Sequence, residues 1–361
     1  MQRSRRITDA LDPLVQQGHL PGYAFAVRER GVLHEGRGGV VDLESGAPVT
    51  ASTAFRIASL SKLVGAVVTL QQVDAGRLAL DDPIGRWLPE LAHPIGPDGQ
   101  PARVAITIRH LLTMTSGWGV LYGGEDRQAE ALAERGIAPG ASAPPIAPET
   151  YLSRLAAVPL AAQPGEVWRY HTSSDVLSIL LERLTGSSND DLVQQGVVQP
   201  LGLGLLSFED AGEVATWYES GPDGLVRGQA GAPGFRSFGN GLVTRPADYL
   251  RVLEEVASER PTILRPESAW AIRSPQISEE QRGAATPVID PWASYGWQVS
   301  VNVEDTPAHG RAGTFGWSGG TGCVAGADPA SDVAGVYLGT RAMGGPTGSR
   351  EFDAFWGAVR G

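Results

Sequence analysis

The chain has 361 residues, and its 42% hydrophobic content is sufficient for two average domains or for one large domain with an insertion. Its formal net charge of −11 argues against a nucleic-acid partner, because binding to phosphates requires clustered basic residues. No apolar run approaches the length that spans a bilayer, and the single cysteine, Cys323, excludes an internal disulfide, so we expect a soluble cytoplasmic protein with no membrane partner.

The N-terminal part of the chain predicts one helix, a pair of strands and then a buried helix. Residues 7–17 have an amphipathic helical pattern, and residues 23–28 and 32–39 predict two strands joined by a turn. Residues 60–73 are apolar on nearly every side and are followed by a glycine, which is a typical helix end. We therefore expect this second helix to lie in the centre of a domain.

The middle of the chain predicts further helices and one insertion. Thr107 is a candidate N-cap for a short helix that reaches Met114. Residues 119–148 are rich in glycine, alanine and proline and predict an inserted segment, either a plain surface excursion or a lid. Helical patterns within and after this segment cover residues 125–135, 148–157, 175–185 and 188–195.

The C-terminal part of the chain combines helices and strands. Predicted helices cover residues 246–258, 265–273 and 349–359, and predicted strands cover residues 295–303, 322–327 and 333–340. Because strands lie near both chain ends, we expect an α+β fold in which an antiparallel sheet, flanked by helices and built from both chain ends, carries an inserted, mostly helical domain. The expected domains are an α/β sheet domain of residues 1–58 and 220–361 and a helical domain of residues 59–219, with the active site at their interface.

Lys62 is the only lysine among the 29 basic residues of the chain. Arginine cannot be deprotonated in a protein, whereas a desolvated lysine can lose its proton and act as a base. Ser59 precedes Lys62 by three residues, and on a helix residues i and i+3 lie on one face. A serine activated by a neighbouring lysine is a known arrangement for nucleophilic catalysis, so this pair indicates acyl-enzyme chemistry.

Three short motifs occur in the order found in one enzyme family. They are Ser59-Leu60-Ser61-Lys62, Arg169-Tyr170-His171-Thr172 and Trp317-Ser318-Gly319. Together they resemble the S-x-x-K, Y-x-N and K-T-G or W-x-G motifs of the serine hydrolases that share the fold of class C β-lactamases, penicillin-binding D-Ala-D-Ala peptidases and family VIII carboxylesterases. The resemblance covers most of the chain, is closest to the family VIII carboxylesterases, and implies a β-lactamase/transpeptidase-like fold.

The resemblance also implies a role for each motif. Ser59 would be the nucleophile, and either Lys62 or Tyr170 would accept its proton, with Lys62 able to draw down the pKa of the Tyr170 phenol. The backbone N–H groups of Ser59 and Gly320 would form the oxyanion hole. No metal or other cofactor is implied. The substrate-binding residues would be Thr172, Trp317, Ser318 and Gly319.

Two departures from the β-lactamase motifs favour a neutral ester as the substrate. Thr172 stands where Y-x-N has an asparagine that can bind a substrate amide. Trp317 replaces the lysine of K-T-G, so the cation that would attract a β-lactam carboxylate is missing. Trp118 and Trp168 could extend an apolar acyl pocket, although nine tryptophans in the chain make core packing the simpler interpretation of each.

The leading prediction is a serine carboxylesterase that cleaves small neutral esters through an acyl-enzyme. Arg311 or Arg341 could restore a carboxylate clamp, so a β-lactamase or a D-amino-acid peptidase is an open alternative. An acyltransferase would use the same acyl-enzyme with a different acceptor. A non-catalytic penicillin-binding sensor is the alternative outside the enzymes. The sequence predicts a small-molecule ester as the partner and does not predict the oligomeric state.

Ser318 also fits a second nucleophile motif, the G-x-S-x-G elbow of α/β-hydrolases. That elbow requires a helix after the serine and a histidine downstream, but strands are predicted there and the last histidine is His309. Neither His110 nor His171 belongs to an H-x-x-x-H or H-E-x-x-H pattern, so the histidines predict no metal site. Cys323 is expected to be a small buried strand residue.

Overall fold

The computed structural model describes residues 2–122, 125–209, 212–229, 231–285, 288–307, 309–346 and 348–361. The described strands are, in chain order, β1 (Gly22–Glu29), β2 (Val32–Gly39), β3 (Phe55–Arg56), β4 (Leu206–Ser207), β5 (Tyr218–Gly221), β6 (Gly224–Arg227), β7 (Val243–Thr244), β8 (Ala293–Tyr295), β9 (Ser300–Asn302), β10 (Phe315–Gly319), β11 (Cys323–Asp328) and β12 (Val333–Gly339).

Most of the described α-helices lie between β2 and β8 in the chain. In chain order, the described α-helices are α1 (Gln2–Gln16), α2 (Ser61–Asp74), α3 (Ile108–Leu112), α4 (Arg127–Glu134), α5 (Pro148–Ala156), α6 (Thr172–Thr185), α7 (Asn189–Val193), α8 (Gln199–Leu201), α9 (Pro246–Ala257), α10 (Pro266–Ile272), α11 (Glu279–Ala284) and α12 (Arg350–Arg360). Within the described ranges, no helix is both long and apolar enough to cross a membrane.

A seven-stranded antiparallel sheet joins the two ends of the chain. Its strand order is β2-β1-β12-β11-β10-β9-β8, so the N-terminal hairpin pairs with the last strand. Phe25 of β1 lies opposite Tyr337 of β12, which fixes the register between strands that are more than 300 residues apart. The predicted α+β fold, with an antiparallel sheet built from both chain ends, is confirmed.

Most of β1 is buried on both faces, and its successive side chains point to opposite sides of the sheet. Tyr23, Phe25 and Val27 pack with α1 and α12 in one apolar cluster. Ala24 and Ala26 belong to the larger core, which also contains α2, α6 and α9. Strand β1 is therefore apolar along most of its length. Helices α1 and α12 pack on one of its faces, and the helices of the larger core pack on the other.

Helix α2 occupies the centre of that larger core. Eleven of its fourteen residues are buried, in agreement with its apolar composition on all sides. The turn before it, Ala58–Leu60, lies next to the end of β10. The start of a buried helix and the end of a sheet strand therefore meet, and this meeting point holds the candidate site.

Two of the differences between the fold and the sequence prediction lie in the C-terminal part of the chain. Residues 295–303 form no single strand, because the chain turns at Gly296–Val299 between β8 and β9, and Gln298 has a φ of 65°. Strand β10 was not predicted, since its glycine-rich sequence lacks the composition of a strand.

The domain boundaries at 58/59 and 219/220 stay a prediction. A small sheet of order β3-β7-β4 draws strands from both sides of these expected boundaries. Phe55 pairs with Thr244, and Leu206 pairs with the same residue on its other side.

Candidate active site

Ser59 lies in a tight turn that leads into α2. The turn spans Ala58–Leu60 and α2 begins at Ser61. Ala58 has a φ of 41°, an unfavourable backbone conformation for a residue other than glycine that is often found at functional sites. Ser59 is partly exposed and lines two cavities, whereas Ser61 is fully buried and accepts a hydrogen bond of 3.0 Å from Leu242 N. Of the two serines in the motif, Ser59 can therefore meet a substrate.

Lys62 is fully buried in the first turn of α2 and reaches back to Ser59. Its Nζ lies 2.9 Å from Ser59 Oγ, 2.5 Å from Gly239 O and 4.8 Å from the centre of the Tyr170 ring. Burial lowers the pKa of Lys62 to about 7, although the charge of Asp175 acts in the opposite direction. A large share of this lysine is therefore neutral near pH 7, with a lone pair within reach of the serine proton.

Tyr170 lies beside the pair on the segment that precedes α6. Its backbone forms a bridge with Val120, and its hydroxyl accepts a hydrogen bond of 2.7 Å from Trp317 Nε1. Burial raises the pKa of Tyr170 well above its usual range, and the hydrogen bonds with Ser59 and Trp317 do not offset this effect. This direction is opposite to the lowering expected from Lys62, because desolvation of the phenolate outweighs the favourable contacts.

The third motif forms most of β10, and Gly319 brings this strand against the serine turn. A Cβ on Gly319 would lie 2.3 Å from Ile57 O, so only glycine permits this approach. Thr321 Oγ1 donates a hydrogen bond of 2.6 Å to Arg56 O and fixes the same contact. Gly320 follows directly, is exposed, and lines the same two cavities as Ser59.

Two cavities meet at Ser59. The larger, of about 800 Å³, extends past Trp317 to Trp292 and Trp356, and the smaller, of about 450 Å³, extends to Trp217 and Asn240. The 119–148 segment contributes walls to both, so it is more than a surface excursion. The described residues that line both cavities are Ser59, Tyr122, Tyr170, Gly320, Met343 and Gly344.

The structure brings together Ser59, Lys62, Tyr170, Trp317 and Gly320 and leaves other predicted residues apart. Ser318 lines the larger cavity on β10, and β11 rather than a helix follows it, so the G-x-S-x-G elbow is absent at this serine.

Thr172 and Gly319, two predicted substrate-binding residues, are buried and are not among the described residues that line either cavity. Thr172 begins α6 with its side chain fully inside the protein. Gly319 instead serves the close approach of β10 to the serine turn.

Four further candidates also lie outside the cavity walls. Trp118 and Trp168 are completely buried; Trp118 Nε1 donates to Val158 O at 2.9 Å and Trp168 stacks on Tyr170. Arg311 and Arg341 are likewise not among the described lining residues, and Arg341 binds His19 O. The two tryptophans are core residues, and neither arginine forms a carboxylate clamp at Ser59.

Sequence reasoning missed His171, whose Nδ1 lies 3.4 Å from Lys62 Nζ, and Asp175, whose carboxylate lies one helical turn further along α6. The available signal was the i, i+4 spacing of a histidine and an aspartate directly after the motif tyrosine. His110, by contrast, caps α3 together with Thr107, as predicted for Thr107. Among the residues that the structure describes, no cluster of three or more His, Cys, Asp or Glu is arranged to hold a metal ion.

Replacing Trp317 with phenylalanine is expected to lower kcat for an ester about 10-fold, with a smaller change in KM. The phenyl ring keeps the aromatic contacts with Tyr170 and Tyr295 but removes the N–H that donates to the Tyr170 hydroxyl. Steady-state kinetics on p-nitrophenyl butyrate measure this effect. A rise in KM with unchanged kcat would instead show that Trp317 only binds substrate.

The chain is similar to esterases and acyltransferases of one family. A family model described as Beta-lactamase matches residues 7–354. Esterase EstB of Burkholderia gladioli is 32% identical over 343 residues, which cover 87% of this chain and 84% of the esterase. Monacolin J acid methylbutanoyltransferase of Aspergillus terreus is 29% identical over 260 residues, which cover 65% of this chain and 60% of the transferase. Among solved structures, EstCE1, a hydrolase with promiscuous acyltransferase activity, matches with a TM-score of 0.88 and 25% identity, covering 99% of this chain and 98% of that chain.

Proposed function

Because the chain belongs to the β-lactamase family and is an esterase-like serine hydrolase, we propose that it cleaves small neutral carboxylic esters through an acyl-enzyme formed on Ser59. The observation that carries the proposal is the contact of 2.9 Å between Ser59 Oγ and the buried amine of Lys62, at the point where the two cavities meet. Both the hydrolase alternatives and the acyltransferase alternative would begin with this acyl-enzyme.

In the first half of the reaction, neutral Lys62 takes the proton of Ser59 while Oγ attacks the ester carbonyl carbon. The carbonyl oxygen becomes an oxyanion, which the N–H groups of Ser59 and Gly320 would stabilise. When the tetrahedral intermediate collapses, the C–O bond to the alcohol breaks. The alcohol leaves with a proton that comes either directly from the Lys62 ammonium or from the Tyr170 phenol, which the Lys62 ammonium then reprotonates, and the acyl group remains on Ser59.

In the second half, water enters as the nucleophile and gives a proton to the same base. Its attack on the acyl carbonyl, followed by release of Ser59 with its proton restored, yields the free acid. Since burial keeps the Tyr170 phenol protonated, we assign the role of base to Lys62 and that of proton donor and hydrogen-bonding partner to Tyr170.

The charges around the cavities favour a neutral substrate. The described lining residues include Asp290 and Asp353 in the larger cavity and Glu219 in the smaller one, against Arg360 as the cation. Trp317 occupies the position of the β-lactamase lysine beside Ser59. A carboxylate-bearing substrate such as a penicillin therefore lacks a cation at this position and meets a prevailing negative charge.

Acyl transfer to an alcohol is a second candidate function, and the two cavities favour it. A transferase must hold an acyl donor and then an acceptor at one serine, and here two separate spaces open at Ser59. The relatives include an acyltransferase and a hydrolase with promiscuous acyltransferase activity. Only the acceptor in the second half of the reaction would differ.

A substrate panel separates these functions. With short p-nitrophenyl esters, nitrocefin and a D-Ala-D-Ala peptide at matched enzyme concentration, kcat/KM for the best ester is expected to exceed the others by about 10- to 100-fold, because a charged partner for the carboxylate is missing. Adding a primary alcohol to the ester assay tests transfer through the yield of the new ester. A higher kcat/KM for nitrocefin or the peptide would contradict the preference for esters.

We also propose that the protein works in the cytoplasm without a nucleic-acid or membrane partner. The proposal depends on the single cysteine and on the net charge of −11. Fractionation of the native host with an antibody against the chain would test it.

A further inference from the structure

A ring of buried polar groups includes the amine of Lys62, and every link of this ring but one is a hydrogen bond. Lys62 Nζ lies 2.5 Å from Gly239 O and 3.4 Å from His171 Nδ1. On the far side of the imidazole, His171 Nε2 lies 3.6 Å from Asp175 Oδ2, which is within reach of an ionic contact but too long for a hydrogen bond. Ser237 Oγ donates a hydrogen bond of 2.5 Å to Asp175 Oδ1 and accepts one of 2.8 Å from Gly239 N, which returns the ring to its start.

The ring is buried and closely packed. The side chains of Lys62, His171, Asp175 and Ser237 belong to residues that are at most 4% exposed. A Cβ on Gly239 would lie 2.9 Å from His171 Nε2 and 3.0 Å from Asp175 Oδ1, so a larger residue would push the members apart. His171 also has a φ of 81°, a backbone conformation that is strained for a residue other than glycine. These features fix the imidazole between the lysine and the aspartate.

We propose that His171 and Asp175 are positioning residues that turn the lone pair of the neutral Lys62 amine toward Ser59. The inference rests on the proposed function, since it assigns the means by which the base of that reaction is oriented. Asp175 acts through His171, and His171 acts through Lys62.

The tautomer of His171 decides which of its ring nitrogens faces Lys62 as an acceptor. Asp175 is an acceptor, because Tyr151 OH and Ser237 Oγ both donate to its carboxylate. Although burial acts against ionisation, the hydrogen bond from Ser237 helps to hold the pKa of Asp175 below its usual range. An ionised carboxylate beside Nε2 favours the proton on Nε2, and Nδ1 is then an acceptor that faces Lys62.

The number of N–H donors on Lys62 decides which neighbour its lone pair faces. A neutral amine has two N–H groups and one lone pair, whereas an ammonium has three N–H groups and no acceptor. Two acceptors, Gly239 O and His171 Nδ1, lie near Nζ and take both N–H groups. The lone pair is left for the third neighbour, Ser59 Oγ at 2.9 Å, whose proton it must accept.

The opposite tautomer would defeat this arrangement. A proton on Nδ1 would point at Lys62 and compete with Ser59 for the lone pair, while bare Nε2 would face the carboxylate of Asp175. Burial and the nearby Lys62 also lower the pKa of His171, so the ring stays neutral at working pH. Among the described residues, the titratable groups that face Lys62 are Tyr170, His171 and Asp175.

Nitrogen NMR on the wild-type protein tests the tautomer without any substitution. With ¹⁵N-labelled histidine at pH 8, the His171 ring is expected to show a protonated Nε2 and an unprotonated Nδ1, and His171→Asn assigns the signals. A protonated Nδ1 would overturn the proposal.

Two substitutions at His171 form a matched pair for kinetics. At the φ of 81° and ψ of −61° of His171, glycine relieves the backbone strain and asparagine retains it, but only asparagine offers an oxygen near the position of Nδ1. We expect His171→Gly to lower the plateau of kcat/KM for p-nitrophenyl butyrate by about 100-fold and His171→Asn to lose about 10-fold or less. Equal plateaus for the two variants, after normalisation to protein that reacts with a phosphonate, would overturn the proposal.

Asp175→Asn adds a second measurement, the pH dependence of kcat/KM, which would not change if Asp175 had only a structural role. The carboxylate of Asp175 raises the pKa of Lys62, so its removal is expected to shift the ascending limb of kcat/KM to lower pH while the plateau falls. An unchanged midpoint would contradict the proposal. A wild-type enzyme without ester turnover would instead overturn the proposed function, and the NMR experiment would still test the orientation of His171.

Discussion

Replacing Ser59 with alanine is expected to lower kcat/KM for p-nitrophenyl butyrate by about 10⁴-fold or more, because the variant lacks the hydroxyl on which we propose that the acyl-enzyme forms. Ser59 is partly exposed and lines the cavity, so the variant should fold and its Tm should be close to that of the wild type. Initial rates over a wide range of enzyme concentration, with circular dichroism to verify the fold, measure the effect. A loss of less than 10-fold would remove Ser59 as the nucleophile.

Ser61 provides the matched control for this substitution. It belongs to the same motif, but its hydroxyl is buried and accepts from Leu242 N. Ser61→Ala leaves that N–H without its partner, which is expected to cost about 1–3 kcal/mol in the free energy of unfolding. The activity per folded molecule should stay near that of the wild type, so the two serines separate catalysis from stability.

Replacing Lys62 with arginine or methionine is expected to lower kcat/KM by about 10³-fold or more. Arginine keeps a positive charge but cannot be deprotonated, and methionine keeps the length of the side chain without any base. If the larger arginine disturbs the fully buried position, the methionine variant still reports on the base. Activity near that of the wild type in either folded variant would leave Lys62 with no role as a base.

The pH profile of the wild type tests the same residue. Burial lowers the pKa of Lys62 to about 7, and the reaction requires its neutral form. The value of kcat/KM should therefore rise through a midpoint near pH 7 and reach a plateau above it, because deprotonation creates the base. Activity that is already maximal at pH 5, or that rises only near pH 10, would contradict this assignment.

Local sequence patterns predicted the parts of the site that depend on one helix. The i, i+3 spacing of Ser59 and Lys62 places two side chains on one face, and the structure shows their atoms 2.9 Å apart. The apolar composition of residues 60–73 predicted a central helix, which α2 confirms. The family resemblance supplied the fold, while the catalytic roles of Ser59, Lys62 and Tyr170 stay predictions.

Contacts between distant segments could not be predicted in the same way. Trp317 donates to Tyr170 across 147 positions of sequence, and no local pattern encodes that hydrogen bond. The φ of 81° at His171 alters the direction of the chain just before α6, so motif order alone did not show that His171 would meet Lys62 while Thr172 became buried.

Burial also decided the direction of the pKa of Tyr170. The sequence suggested that the neighbouring lysine would lower it, but in the structure Lys62 lies over the face of the ring and the phenol is enclosed. Desolvation of the phenolate then outweighs the favourable contacts. The extent of burial at a single atom depends on the whole fold, and for this reason the sequence alone left both Lys62 and Tyr170 as candidate bases.

The covalent adduct of a p-nitrophenyl phosphonate tests the acyl-enzyme most directly. Intact mass and peptide mapping of the wild type should show one phosphonate on the peptide that contains Ser59, with loss of activity in proportion to labelling. Ser59→Ala should show no adduct under the same conditions. Labelling of another residue, or ester turnover that continues after Ser59 is fully modified, would contradict the account.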